Sequence, residues 1–250
     1  MKKVDIIILS YAKNTSLQAV TENAIASLQV SESADNVLFD ILIIESNKSL
    51  KPFTYPGTTT IYPAGDFSFN KYLNIGLKST TNEYICFCNN DLLFHPLWAS
   101  TILKQFNADP ELMSASPLCS IFHPSINILP NSGNHYGYGV RQEIAGWCFF
   151  TKRSLFNTIG LFDENFKFWF ADGDYAKTLQ KFNYKHALVT SSVVDHLDGI
   201  STAELDAKDK AALTSEQYWY FQYKWGHHNI LLYFYRVLRS KLRILNINRA

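Results

Sequence analysis

Runs of apolar residues alternate with amphipathic stretches along the first half of this chain. Val4 to Leu9, Phe39 to Ile44 and Tyr84 to Cys88 are short apolar runs of the kind buried on both faces of a parallel sheet. A helix is predicted over about Ser16 to Gln29, and a second from Phe69 to Ser79, where Tyr72, Leu73, Ile75 and Leu77 mark the apolar face. Thr59 to Tyr62 reads as a shorter third strand. This alternation predicts βαβ units, a mostly parallel sheet and right-handed crossovers, so the first half has the pattern of a nucleotide-binding half-fold.

The second half is less regular. Pro96 opens a predicted helix to about Phe106, Leu112 to Pro117 reads as a strand, and residues 118–145 change to turn formers and aromatics, expected as a mobile loop beside a site. Gly146 to Thr151 is the next predicted strand, followed by a helix from about Arg153 to Ile159 closed by Gly160. A further helix runs to about Phe182, and two short strands, His186 to Val189 and Ser192 to Asp195, lead to His196.

Polar clusters fall where these strands end. Glu45, Asp91, Asp172 with Asp174, and His196 each follow a predicted strand or open a helix, the edge of an α/β sheet at which ligands bind. Asn89-Asn-Asp91 is the most informative, because a carboxylate beside a pyrophosphate is a usual way to hold Mg²⁺ or Mn²⁺. Asn-Asn-Asp is also ordinary turn chemistry. Taken singly, Asp172 is more often a helix cap and His196 more often a structural histidine, and Trp147 reads equally as a core aromatic.

Composition narrows the classes. Lys plus Arg number 23 against 22 for Asp plus Glu, which gives no long-range attraction for nucleic acid, and none is expected as a partner. The four cysteines, Cys86, Cys88, Cys119 and Cys148, show no metal-type spacing and read as buried free thiols in a reducing compartment, the cytoplasm. The first apolar run is too short for a secretory signal, and no apolar stretch reaches the ~20 residues of a membrane span. Residues 229–250 combine a wide apolar face with Arg236, Arg239 and Arg243, and no acidic residue follows Glu216. That pattern suits an anionic membrane surface at the inner face, or a contact with another subunit in a homo-oligomer.

The ordered set of motifs resembles the family 2, GT-A fold glycosyltransferases over roughly residues 3–202. The carriers are Leu9-Ser-Tyr-Ala-Lys-Asn14, Ile44-Glu-Ser-Asn47, Asn70, Asn74 and Gly76 before Asn89-Asn-Asp91, then Gly146-Trp147 and Ala171-Asp-Gly-Asp174, and lastly His196-Leu-Asp-Gly-Ile-Ser201. The resemblance implies a mostly parallel, Rossmann-like sheet flanked by helices. Residues 1–202 would be the catalytic domain, with 1–95 the nucleotide-sugar half and 96–202 the acceptor half, and 203–250 a helical extension.

It also implies a hexosyltransferase-like, inverting reaction in polysaccharide biosynthesis. The donor would be a nucleotide sugar, UDP-linked by preference, the acceptor a glycan or lipid-linked hydroxyl, and the cofactor Mn²⁺ or Mg²⁺. On this resemblance Asp91 and His196 bind the metal, and Ser10, Tyr11, Glu45, Asn74, Asn90 and Asp91 face the donor. Trp147 faces the acceptor, and Asp172 is the general base with Asp174 as its rival. Two positions depart from the pattern: Asn89 stands for the first carboxylate of the metal motif and Ala171 for the usual Glu. A nucleotidyltransferase on a similar sheet, or a catalytically silent sugar- or nucleotide-binding module, are the competing functions. The former would want a Gly-rich basic loop, and Ser10 to Asn14 has no glycine.

Overall fold

Alternation along β1 (Lys2–Ser10) sorts the core into two layers. Ile6 and Ile8 face one cluster with Ile25, Leu28, Trp98 and Ile102, while Ile7 and Leu9 face a second with Tyr72, Leu73, Leu77 and Leu179. A strand buried on both sides needs a helical layer on each, which is why its residues are apolar at successive positions. The computed structural model describes residues 1–197, 207–226 and 229–247, with the backbone alone over 207–213 and 241–247.

The first layer is built by α1 (Thr15–Val30) and α3 (Trp98–Ala108), the second by α2 (Phe69–Ser79) and α5 (Ala171–Lys181). Asn14 starts α1 by accepting the Leu17 N–H at 2.9 Å. Helix α2 lies so close to the sheet that a Cβ on Gly76 would come within 2.5 Å of Ile7 Cγ2, so only glycine permits that approach.

Around β1 the predicted parallel pairing is present. β2 (Val37–Glu45) and β4 (Tyr84–Asn89) flank β1 in parallel, and β3 (Thr59–Ile61) extends the sheet beyond β2. The second half is mixed in direction. β8 (Cys148–Lys152) runs antiparallel to both β4 and β6 (Leu112–Leu118), and β6 is parallel to β9 (Lys185–His196).

Residues predicted as two strands, His186 to Val189 and Ser192 to Asp195, form the single strand β9. An irregularity between Val189 and Val193 absorbs the polar Thr190-Ser-Ser192. Its first part pairs with β6 and with β7 (Asn134–Tyr136), its last part with β5 (Leu92–Phe94). The segment expected as a loop over 118–145 thus contributes a strand to the sheet. The short helix α4 (Leu155–Ile159) follows β8, and Gly160 ends it at φ 74°.

The chain continues in α6 (Ala207–Trp225) and α7 (Ile230–Ile247). Helix α6 is fastened to the start of α5: Lys224 Nζ bridges Asp163 at 2.8 Å and Asp174 at 2.7 Å, and Trp225 Nε1 donates to Asp174 at 2.8 Å. Removing the cation leaves the buried Asp174 with one neutral donor. Lys224→Met should therefore cost about 2 kcal/mol, less than a fully buried pair because Lys224 is partly exposed. A denaturant midpoint within error of wild type would refute this.

Candidate active site

Strand geometry brings residues from both halves of the chain to one edge of the sheet. β4 ends at Asn89, β9 ends at His196, and the pairing of Leu92 with His196 sets Asp91 beside the imidazole. His196 Nε2 lies 3.2 Å from Asp91 Oδ1 and 3.5 Å from Asn89 Nδ2. Its ring stacks on Trp147 at 5.2 Å between centroids and 2° between planes. Trp147 also meets Phe122 in a T-shaped pair and His123 in a tilted one, and its carbonyl accepts the Asn89 N–H at 2.9 Å.

Asp91 Oδ1 is buried and accepts no hydrogen bond, as is uncommon for a buried carboxylate oxygen. An oxygen and an imidazole nitrogen converging in this way fit Mn²⁺ or Mg²⁺, whose remaining positions water or phosphate oxygens can fill. The Trp147 Nε1 donor is also buried without an acceptor.

From Asn90 of the Asn89-Asn-Asp91 segment runs a chain of buried side chains. Asn90 Nδ2 donates to Thr21 Oγ1 at 2.9 Å, Thr21 and Ser10 share a hydrogen bond at 2.9 Å, and Ser10 meets the Tyr55 hydroxyl at 3.3 Å. Tyr55 donates to Glu45 Oε2 at 3.0 Å, and burial pushes its phenol up, so it remains a donor. The other Glu45 oxygen accepts the Ala12 and Asn47 N–H groups at 3.2 and 2.7 Å. Every donor in the series can point toward the carboxylate, which orders the hydroxyls.

Ser10, Glu45 and Asn90, expected at the donor, are thus buried and engaged with the chain's own groups. They shape the loop from which Tyr11 projects half-exposed, with Lys13 Nζ 5.0 Å from its ring centre. Asn74 is also buried, and it clamps the loop after α4 by donating to the Phe162 carbonyl and accepting the Phe162 N–H, both at 2.9 Å.

Asp172 and Asp174 part company on α5, because residues two apart on a helix do not share a face. Asp174 turns to α6, where Lys224 and Trp225 hold it. Asp172 lines a small cavity with Phe69, Asn70, Gly146, Phe149 and Tyr175. A Cβ on Gly146 would lie 2.8 Å from Asp172 Cβ, so a glycine is required where the turn before β8 passes the carboxylate. Burial pushes the Asp172 carboxyl above its usual range, opposed by the Gly173 N–H and by the charge of Arg141.

The next residue after Gly146 is Trp147, so Asp172, Gly146, Trp147, His196 and Asp91 form one continuous wall. Sequence reading missed Thr21, Tyr55 and Lys224, ordinary residues whose partners are distant in the chain. Of the last motif, His196 and Leu197 lie in the described structure and 198–201 outside it.

No protein-family model matches the sequence, and no curated protein matches it. Among solved structures the chain is similar to a mannosyltransferase from Pyrobaculum calidifontis described in complex with GDP-Man and Mn²⁺. The TM-score is 0.60 at 12% identity, covering 96% of this chain and 69% of that one. It is also similar to GalNAc-T7 described with UDP, GalNAc and Mn²⁺, with a TM-score of 0.63 at 12% identity over 92% of this chain and 52% of that one. At such identity the likeness speaks for architecture alone: this chain has the GT-A type α/β fold of these two glycosyltransferases, here with a nine-stranded sheet flanked by helices.

Proposed function

We propose that this protein is a metal-dependent, inverting glycosyltransferase of the family 2 kind. It would move a sugar from a nucleotide-diphosphate donor, UDP-linked by preference, to a hydroxyl of a glycan or lipid-linked acceptor. The observation that supports this reading is the run of contacts from Asp91 and His196 through Trp147 and Gly146 to Asp172, which links a converging carboxylate and imidazole to a desolvated carboxylate.

In this reading Asp172 accepts the proton of the acceptor hydroxyl as it attacks, and burial makes it a stronger base than an exposed aspartate. Asp91 and His196 hold Mn²⁺ or Mg²⁺, which when bound there neutralises charge developing on the departing diphosphate. Tyr11 offers a ring face to the nucleobase, and the unpaired Trp147 N–H serves a sugar or phosphate oxygen. Incubation with Mn²⁺ and a panel of sugar nucleotides should release free nucleoside diphosphate from one of them. Nucleotide binding without release would favour a silent module, and pyrophosphate from a triphosphate would favour a nucleotidyltransferase.

The same reading places the acceptor at a bilayer. Among the described residues no helix is long and apolar enough to cross a membrane. Helix α7 packs on α6 through Tyr233, Arg236 and Ser240, with Arg236 over the Trp219 ring at 5.0 Å. Arg236 is thus turned toward α6 and away from the basic face expected of it, and the Arg243 side chain lies outside the described residues. The opposite face exposes Leu231, Phe234, Tyr235 and Leu238, Leu231 to 75%.

An apolar face flanked by Arg239, in a segment with no acidic residue after Glu216, complements an anionic lipid surface. Phe234→Ser with Leu238→Ser should abolish sedimentation with anionic vesicles and leave donor hydrolysis intact. Arg239→Gln should weaken sedimentation by about 1 kcal/mol. A change in oligomeric size without vesicle binding would make the face a subunit contact.

A further inference from the structure

Three of the four cysteines meet at one point, directly under the candidate site. Cys86 and Cys88 lie on the same face of β4, and Cys148 of β8 is directly opposite Cys88 in the antiparallel pair. Their sulfurs form a triangle with sides of 3.5, 3.8 and 3.9 Å. The centre of that triangle is about 2.2 Å from each sulfur, against about 2.3 Å for a zinc–thiolate bond.

We propose that Cys86, Cys88 and Cys148 form a three-thiolate site for a thiophilic cation of the copper(I) or zinc class, separate from the Asp91 and His196 pair. Two thiols in contact are ordinary packing. Three at a metal–sulfur distance from a common point supply the ligand set that a soft cation selects, whereas the carboxylate and imidazole above them suit a harder one. Among the described residues no further His, Cys, Asp or Glu joins the group, so the site is three-coordinate, which copper(I) accepts more readily than zinc.

All three cysteines are free and buried, so the ion enters before β8 closes on β4, during folding. Each thiol gives up its proton to bind, and retention should fall as pH is lowered. Cys88 precedes Asn89 and Cys148 follows Trp147, so the ion would tie together the two strands that lead to adjacent residues of the site.

The test is the metal content of the full chain produced in medium supplemented with Cd²⁺ or copper, then chelator-washed and gel-filtered. The expected result is about one ion per chain, a thiolate-to-metal absorption band in the ultraviolet and a raised Tm. Cys86→Ala and Cys148→Ala should each lower retention about tenfold or more, while Cys119→Ala keeps it. Wild-type protein that is folded, carries four titratable thiols on denaturation and retains no ion overturns the proposal, whatever the variants do. So does retention undiminished in Cys148→Ala.

Discussion

Asp172→Asn is expected to lower turnover by about a hundredfold or more while nucleotide and metal binding stay near wild type, the scale of losing a general base. The amide preserves the shape against Gly146 and the helix start, and it removes the basicity of the carboxylate. Single-turnover kinetics beside equilibrium nucleotide binding would check this. Equal losses in binding and turnover would show that Asp172 positions the donor instead. Asp174→Asn should leave the rate comparatively unaffected, since Asp174 faces Lys224 and Trp225 and has no share of the cavity. The reverse pattern would move the base to Asp174.

The same substitution has a signature in pH and in stability. With Asp172 in the proposed role of base, activity needs the ionised carboxylate; burial raises its pKa, so the acid limb of the rate profile should lie above the ordinary aspartate value of about 3.9. A folded-state pKa above the unfolded one means that the folded protein holds the proton more tightly. The stability linked to this group is then present below the unfolded value and lost as pH rises through the folded value. At neutral pH the ionised Asp172 destabilises the fold, and Asp172→Asn should raise Tm there while the gain disappears toward acid pH. A Tm that falls on substitution at pH 7 would mean that the carboxylate is satisfied by partners.

How far the sequence discloses this architecture depends on where each element finds its partners. β1, β2 and β4 are legible because burial on both faces leaves apolar residues at consecutive positions. β5 and β7 are three residues each and exist through pairing with β9, so nothing local marks them. The direction of β8 is likewise invisible: Cys148–Lys152 would have the same composition in a parallel strand, and its reversal makes the second half of the sheet mixed.

The site follows the same rule. Asp91 and His196 stand out at strand ends because a polar cluster after an apolar run is a local signal. Thr21 and Tyr55 carry none, since a helix threonine and a loop tyrosine become a buried relay only when α1 and the segment after β2 are packed together. Glu45 stands out by position, yet the sequence does not tell that Tyr55, Ala12 and Asn47 take up its oxygens.

Asp91→Ala is expected to remove most activity, at least about a hundredfold in kcat/KM, together with the metal dependence of nucleotide binding. The reason lies in how little else the site offers a cation. Asn89 stands where a second carboxylate would be, and its side chain is neutral; Asn90 is spent on Thr21. His196 alone contributes one ring nitrogen, held by its stack on Trp147. His196→Ala should therefore act in the same direction and less severely, because water or a diphosphate oxygen can fill the position it leaves. Asp91 Oδ1 is buried without a hydrogen bond and has the His196 imidazole 3.2 Å away, so removing the carboxylate should change the stability of the metal-free protein little. Metal-free Tm and Mn²⁺-dependent nucleotide titration, measured on both variants, separate the two roles. Asp91→Ala protein that binds nucleotide with unchanged Mn²⁺ dependence would refute the assignment, and a metal-free Tm that drops would make Asp91 a structural residue of the turn between β4 and β5.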